Sequence, residues 1–169
     1  MMTLNNLQNI LKRIGEMKCE LCPRRCSVNR AINHGYCKQG LEAKVANYSL
    51  HFGEEPCISY KKGSGTVFFS GCSLRCVYCQ NYDISNKNIG QIVNVNQLAE
   101  IFKELDENAD NINLVTPTHF SNVIQDAIKL IVIFGCFSLK YFKTFLLSSR
   151  LFGRSRCLTI TPCNIFPFS

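Results

Sequence analysis

The sequence predicts an α/β chain built on parallel strands. Two short apolar runs, 66–70 (TVFFS) and 112–116 (INLVT), are each followed by a segment with helical spacing of apolar residues. The resulting order, strand–helix–strand–helix, favours parallel strands joined by right-handed crossovers. The chain is also 46% hydrophobic and 18% charged, enough apolar material for a packed core and too much for a disordered chain.

The elements follow in order along the 169 residues. Leu4, Leu7, Ile10, Leu11 and Ile14 recur at helical spacing, so 3–15 is expected to be an amphipathic packing helix. Residues 19–40 are rich in Cys, Arg and Gly and read as a metal-stabilised loop module. The turn-rich stretch 53–65 (GEEPCISYKKGSG) reads as a connection. The run 66–70 is the first buried strand. Asn96 is expected to cap a helix carrying Leu98, Ile101, Phe102 and Leu105, which stops within 106–110. The run 112–116 is the second strand, and Ser121 is expected to cap a helix carrying Val123, Ile124, Ala127 and Ile128.

Beyond Asp126 the composition changes. Residues 1–126 hold 13 basic and 12 acidic side chains, whereas 127–169 hold six basic and no acidic ones, together with seven of the 12 phenylalanines. No clean helical or strand period is visible there, and no acid is present to open a helix or solubilise a face. This composition predicts a truncated or frameshifted reading frame after about residue 130 rather than native protein; a basic tail on RNA or a membrane surface is the other reading. The expected division is therefore 1–52 (helix and Cys-rich module), 53–130 (core) and 131–169 (atypical tail).

The net charge of +7 thus belongs to the tail and argues only weakly for nucleic acid. No run of about 18 apolar residues is present, so no membrane partner is expected. The start carries no basic cap and apolar stretch of a secretory signal, which predicts a cytoplasmic protein. In that reducing compartment, 11 cysteines read as metal ligands rather than as a disulfide framework.

The central constellation is GCSLRCVYCQN at 71–81, directly after the first strand. Cys72, Cys76 and Cys79 stand at C-x3-C-x2-C, a spacing that lets one short loop hold three corners of a cubane iron–sulfur cluster. No fourth local cysteine is present, which leaves one iron with an open position, as a catalytic metal site requires. A small molecule with an amine and a carboxylate could fill it, and S-adenosylmethionine is such a molecule. Loops at the C-terminal ends of strands are where α/β folds place active sites. A zinc knuckle or a set of buried free thiols is the plainer reading of the same residues.

GSGTVFFSGCSLRCVYCQN resembles the radical S-adenosylmethionine superfamily and, more narrowly, the iron–sulfur proteins related to pyruvate formate-lyase activating enzyme. GEEPCIS before it, QNYDIS after it and NINLVTPTHF further on fit the same subgroup, so the likeness spans roughly 19–130. The resemblance implies a partial (β/α)6 barrel, a 4Fe–4S cluster on Cys72, Cys76 and Cys79, and reductive cleavage of S-adenosylmethionine to a 5′-deoxyadenosyl radical that abstracts hydrogen. It implies an electron donor such as flavodoxin or ferredoxin. The substrate would be a glycine of a glycyl radical enzyme, another peptide or a small molecule. Tyr78 would lie near the adenine. The Gly-Gly-Glu-Pro motif that holds the methionine amino group in the better-known activases is absent, and Thr116 and Thr118 are the polar candidates in its place. Six barrel units need about 190 residues, scaled from an eight-unit barrel; 98 remain from Cys72 onward, so the barrel would be truncated.

Cys19, Cys22, Cys26 and Cys37 supply four further thiols, flanked by Arg24, Arg25 and Arg30, whose charge favours thiolates. Four ligands make a closed site for structural zinc or a second iron–sulfur cluster, and the sequence does not separate the two. His34, His51 and His119 are read as structural rather than as ligands or bases, Cys57 as a bystander, and Arg75 either as tuning the charge of the cluster or as a solvated surface arginine. The reading from a different class is a non-catalytic zinc protein whose basic tail binds nucleic acid, or an inactive fragment.

Overall fold

The computed structural model describes residues 18–56, 58–59, 61–133 and 142–143. The expected helix 3–15, Cys57, and nearly all of the tail with Cys136, Cys157 and Cys163 lie outside the described residues. Within them the chain has α/β character. Strands β1 (Ala43–His51), β2 (Ser64–Phe69), β3 (Gln91–Val93), β4 (Asn111–Val115) and β5 (Phe142–Lys143) form a sheet in the order β3-β1-β2-β4-β5. The helices are α1 (Tyr82–Asn86), α2 (Val95–Asn108) and α3 (Ser121–Ile133), the last preceded by a 3-10 turn at Thr118–Phe120.

The expected parallel pair is present: β2 runs parallel to β4, with Thr66 opposite Asn113 and Val67 opposite Leu114. β5 continues the parallel ladder beside β4. The sheet as a whole is mixed, however, because β1 pairs antiparallel with both β2 and β3. Neither β1 nor β3 was anticipated, and β1 places residues 43–51 in the sheet rather than in the Cys-rich module. β2 also begins at Ser64, two residues earlier than its apolar run. The ladder reaches Asn111 and recruits Ser64 and Gly65, whose own side chains carry little strand signal.

Helix α2 corrects the expected cap. Asn94, not Asn96, closes it: Asn94 Oδ1 accepts from the Gln97 amide at 2.9 Å, and Gln97 Oε1 accepts from the Asn94 amide at 2.9 Å. This reciprocal box satisfies two of the amides that every helix start leaves open. Ser121 likewise is the first residue of α3 rather than a residue before it.

The core lies between the sheet and the helices. Val67 and Phe69 of β2, Ile112 and Leu114 of β4, Leu98 and Phe102 of α2, and Ile124 and Ile131 of α3 are buried together. Phe69 and Phe120 rings meet at 5.8 Å, tilted by 51°. Each such ring contributes about 1.5–3 kcal/mol by leaving water. Gly65 sits where α2 crosses β2: a Cβ there would come within 2.9 Å of the Leu105 Cβ.

The opposite face is mixed, with Phe68 and Val115 beside four polar side chains. Side chains alternate across a strand, so Thr66 and Ser64 of β2 and Asn111 and Asn113 of β4 share the face away from Val67 and Leu114. Thr66 and Ser64 are nevertheless buried. Part of the connection 53–63 lies over this face: Asn113 Nδ2 donates to Glu54 at 3.2 Å, and Asn111 Nδ2 donates to the Ile58 carbonyl. Asp110 fixes its end by accepting the amides of Lys61 and Lys62, both at 2.8 Å. No helix among the described residues is long and apolar enough to cross a membrane.

Candidate metal centre

The C-terminal ends of β2 and β4 lie side by side, and the loops that leave them meet. Thr116 Oγ1 donates at 3.0 Å to the carbonyl of Phe69 and lies 2.8 Å from that of Val115. His119 Nε2 lies 2.8 Å from the carbonyl oxygen of Ser70. A carbonyl can only accept, so Nε2 carries the proton. Burial lowers the His119 pKa to about 4, with the Arg30 charge adding to the effect, so the ring is neutral at neutral pH.

The loop after β2 is tightly anchored where it begins. The Ser70 amide donates to Lys44 and the Gly71 amide to Ile84, at 2.8 and 3.0 Å. Gly71 has φ of +76°, and a Cβ there would overlap the Cys37 carbonyl oxygen and crowd Gln39. Only glycine meets both demands. Beyond this anchor Cys72 is buried, Cys79 half-buried and Cys76 exposed. The Leu74 amide donates to Cys72 Sγ at 3.4 Å, and the Ser85 hydroxyl of α1 has its one proton between the Tyr82 carbonyl at 3.2 Å and Cys79 Sγ at 3.5 Å. Such donors are the outer partners that iron-bound thiolates use. The outer part of the loop is open to solvent, with Tyr78 97% exposed. Of the two threonines proposed by sequence, Thr116 has its hydroxyl proton committed to backbone carbonyls, which leaves it lone pairs to offer. It adopts φ of +55°, a costly conformation for a β-branched residue. Thr118 is half-buried in the 3-10 turn.

The N-terminal cysteines lie against this loop. Cys19 pairs with Val28 and Ser27 through backbone bonds of 3.0 and 3.1 Å, and Arg25 closes a turn onto the Cys22 carbonyl at 3.0 Å. Cys22 and Cys37 are buried, Cys19 and Cys26 half-buried. A Cβ on Gly35 would touch Cys37 Sγ at 3.4 Å and Cys26 Sγ at 3.5 Å, so these two sulfurs flank one residue. Amides of Val28 and Tyr36 hold the Cys26 thiol below its ordinary pKa, whereas burial pushes Cys37 up. As placed, no three Cys, His, Asp or Glu side chains among the described residues are gathered around a single point. A tetrahedral zinc site needs sulfurs about 3.8 Å apart, given Zn–S bonds of about 2.3 Å. Loading either cysteine set therefore requires the sulfurs to readjust.

Several residues here carry weight that sequence reading did not assign. The guanidiniums of Arg24 and Arg75 both stand over the Tyr36 ring, at 3.8 and 4.3 Å from its centroid. Arg24 also donates to the Ser73 carbonyl at 3.3 Å, and Arg75 to that of Tyr36. Ser85 and Gln39 complete the support of the loop. Their only sequence signal was proximity to the cysteines.

A family model described as a 4Fe-4S single cluster domain matches residues 62–133, which supports an iron–sulfur protein. The chain is also 36% identical over 107 residues to an uncharacterized protein of Methanocaldococcus jannaschii, covering 57% of this chain and 30% of that one. The chain thus spans about a third of the length of the curated relative it matches. No solved structure matches it significantly.

Proposed function

We propose that this chain is the cluster-binding part of a radical S-adenosylmethionine enzyme of the kind related to pyruvate formate-lyase activating enzyme. The observation that carries this reading is the placement of Cys72, Cys76 and Cys79 on the loop leaving β2, beside the loop leaving the parallel neighbour β4. Three thiolates leave one iron of a 4Fe–4S cluster open, and the neighbouring loop offers polar groups beside it.

When bound, such a cluster supplies the electron for reductive cleavage of S-adenosylmethionine to methionine and a 5′-deoxyadenosyl radical. The chain's own residues bind and orient. Cys72 and Cys79 would hold two corners of the cluster, with the Leu74 amide and the Ser85 hydroxyl beside their sulfurs, and Cys76 would supply the third from the solvent side. Tyr78, exposed on the same loop, is free to stack on the adenine. Thr116 and Thr118 offer oxygen lone pairs to the methionine amino group. The parallel strands β2, β4 and β5, with helices on one face and a mixed surface bearing Ser64, Thr66, Asn111 and Asn113 on the other, accord with the first units of a partial (β/α)6 barrel whose interior would receive the substrate. An electron carrier such as flavodoxin or ferredoxin would deliver the electron. The hydrogen would come from a glycine of a partner enzyme, another peptide or a small molecule.

Anaerobic iron–sulfur reconstitution followed by EPR of the reduced protein tests this. The expected result is a 4Fe–4S signal that changes shape when S-adenosylmethionine is added and vanishes in the Cys72→Ala, Cys76→Ala and Cys79→Ala variants. A cluster signal indifferent to S-adenosylmethionine would overturn the reading.

A further inference from the structure

We infer that the outer face of the cysteine loop is the docking surface for an acidic one-electron carrier protein, with Leu74 and Val77 as its apolar centre and Arg24, Arg25, Lys38 and Arg75 as its basic rim. This rests on the cluster assigned above to Cys72, Cys76 and Cys79, and not on S-adenosylmethionine chemistry.

The apolar centre surrounds a candidate cluster ligand. Leu74 is 71% exposed and Val77 87% exposed, and in the chain they flank Cys76, the exposed member of the three cysteines. A lone exposed apolar side chain is ordinary, but an apolar patch with a polar rim marks a protein contact. Electron transfer slows steeply with distance, so the productive contact between carrier and cluster is the surface directly over a ligand. Such transient redox encounters bury under about 1,200 Å², so a few apolar side chains within a charged rim suffice.

The rim is tied to the loop. Arg24 donates to the Ser73 carbonyl at 3.3 Å, and its guanidinium and that of Arg75 stand over the Tyr36 ring. Lys38 Nζ donates to the Asn86 carbonyl of α1 at 2.9 Å. Cations held in this way have already lost rotamer freedom, which lowers the ordering cost of docking. Arg25, beside Arg24, is exposed.

Charge is divided unevenly over the chain. Residues 18–40 and 71–90, which carry both cysteine sets, hold seven basic and two acidic side chains, whereas 53–63 and 91–133 hold four basic and eight acidic ones. In the basic segments Lys87 is paired with Asp83, and Arg30 is buried. That leaves Glu20 against Lys18, Arg24, Arg25, Lys38 and Arg75, none of which is in an ion pair among the described residues. Such a field steers an acidic partner onto the loop. It disfavours a second copy of this chain, because a symmetric pair through this face would set the basic rim against itself. In the encounter the carrier loses one electron and is oxidised; the electron passes to the oxidised cluster, and no bond or proton moves.

The test uses the full reconstituted chain, with reduced flavodoxin as the acidic carrier and dithionite as the small reductant, and follows the loss of cluster absorbance by stopped flow. The rate with flavodoxin should fall by about tenfold or more between about 0.01 M and about 1 M salt, as the Debye length shortens from about 30 Å to about 3 Å. At low salt Val77→Asp should be slower than Val77→Lys by about tenfold or more, although both remove the same apolar side chain. Arg24→Gln should slow the reaction, with Arg24→Lys recovering part of the rate. Dithionite should reduce every variant, which shows that the cluster is in place. A flavodoxin rate indifferent to salt, or equal in Val77→Asp and Val77→Lys, would overturn the surface and leave the cluster standing. A wild-type chain that dithionite does not reduce would remove the cluster and this surface together. A dimer that Val77→Asp dissolves into monomers would give the face to a second copy instead.

Discussion

The imidazole of His119 donates through Nε2 to the carbonyl oxygen of Ser70, 2.8 Å away, and so ties the end of β4 to the start of the cysteine loop. The ring is 2% exposed and its pKa is held at about 4, below the ordinary 6.5. An unfolded chain therefore binds a proton between those values that the folded chain refuses. The stabilisation is fully present above pH 6.5 and is lost as the pH falls toward 4. The loss is about 2 kcal/mol by pH 5 and about 3 kcal/mol by pH 4. Urea unfolding midpoints at pH 7 and pH 5 should show this fall, and His119→Gln, which cannot titrate there, should flatten it. Equal slopes in the two proteins would contradict the burial argument.

Gly71→Ala should be costly. Positive φ and overlap with a backbone oxygen together cost about 2 kcal/mol or more, a loss of roughly 4–8 °C in Tm for a chain of this size. Gly40→Ala serves as the control, because its added Cβ would meet the Arg30 carbonyl at an ordinary 3.7 Å. Calorimetry of both variants checks the contrast.

Ser85→Ala removes a hydroxyl whose proton turns from the Tyr82 carbonyl to Cys79 Sγ once that sulfur is a thiolate ligand. A hydrogen bond to a thiolate ligand favours the more negative, reduced cluster. Its loss should lower the reduction potential by up to about 40 mV, the one-electron equivalent of about 1 kcal/mol. An EPR-monitored redox titration reads the shift, and a potential that stayed level or rose would contradict the assigned contact.

Asn94→Ala should destabilise the chain by about 1 kcal/mol, whereas Asn96→Ala should be close to neutral. Thermal denaturation of the pair separates the observed cap from the one expected from sequence.

That cap shows how legible the local structure was. Two capping asparagines stand two residues apart, and the deciding signal was Gln97, which lies three residues after Asn94 and completes a box with it alone. β1 escaped notice for a different reason. Its pairing with β2 and β3 depends on segments up to about 50 residues away, and a bulge between Val45 and Asn47 breaks its alternation. That Cys72, Cys76 and Cys79 share one loop leaving β2 was readable because that loop directly follows the apolar run 66–70. Which sulfurs would be buried was not readable, because burial is set by what packs above the loop.

The sequence by itself determined the local periodicities: the amphipathic faces of α2 and α3, the apolar cores of β2 and β4, and the thiol spacings. Each is carried by residues within one or two turns of one another, where covalent geometry fixes who can be a neighbour. Only the tertiary structure decided the mixed strand order, the packing of Cys37 on Gly71, and the burial of Arg30 against a carbonyl 89 residues away. Desolvation depends on everything that surrounds a group in space, so an arginine read from the sequence only as a neighbour of cysteines is found, inside the fold, buried against a carbonyl that local sequence could not bring to it.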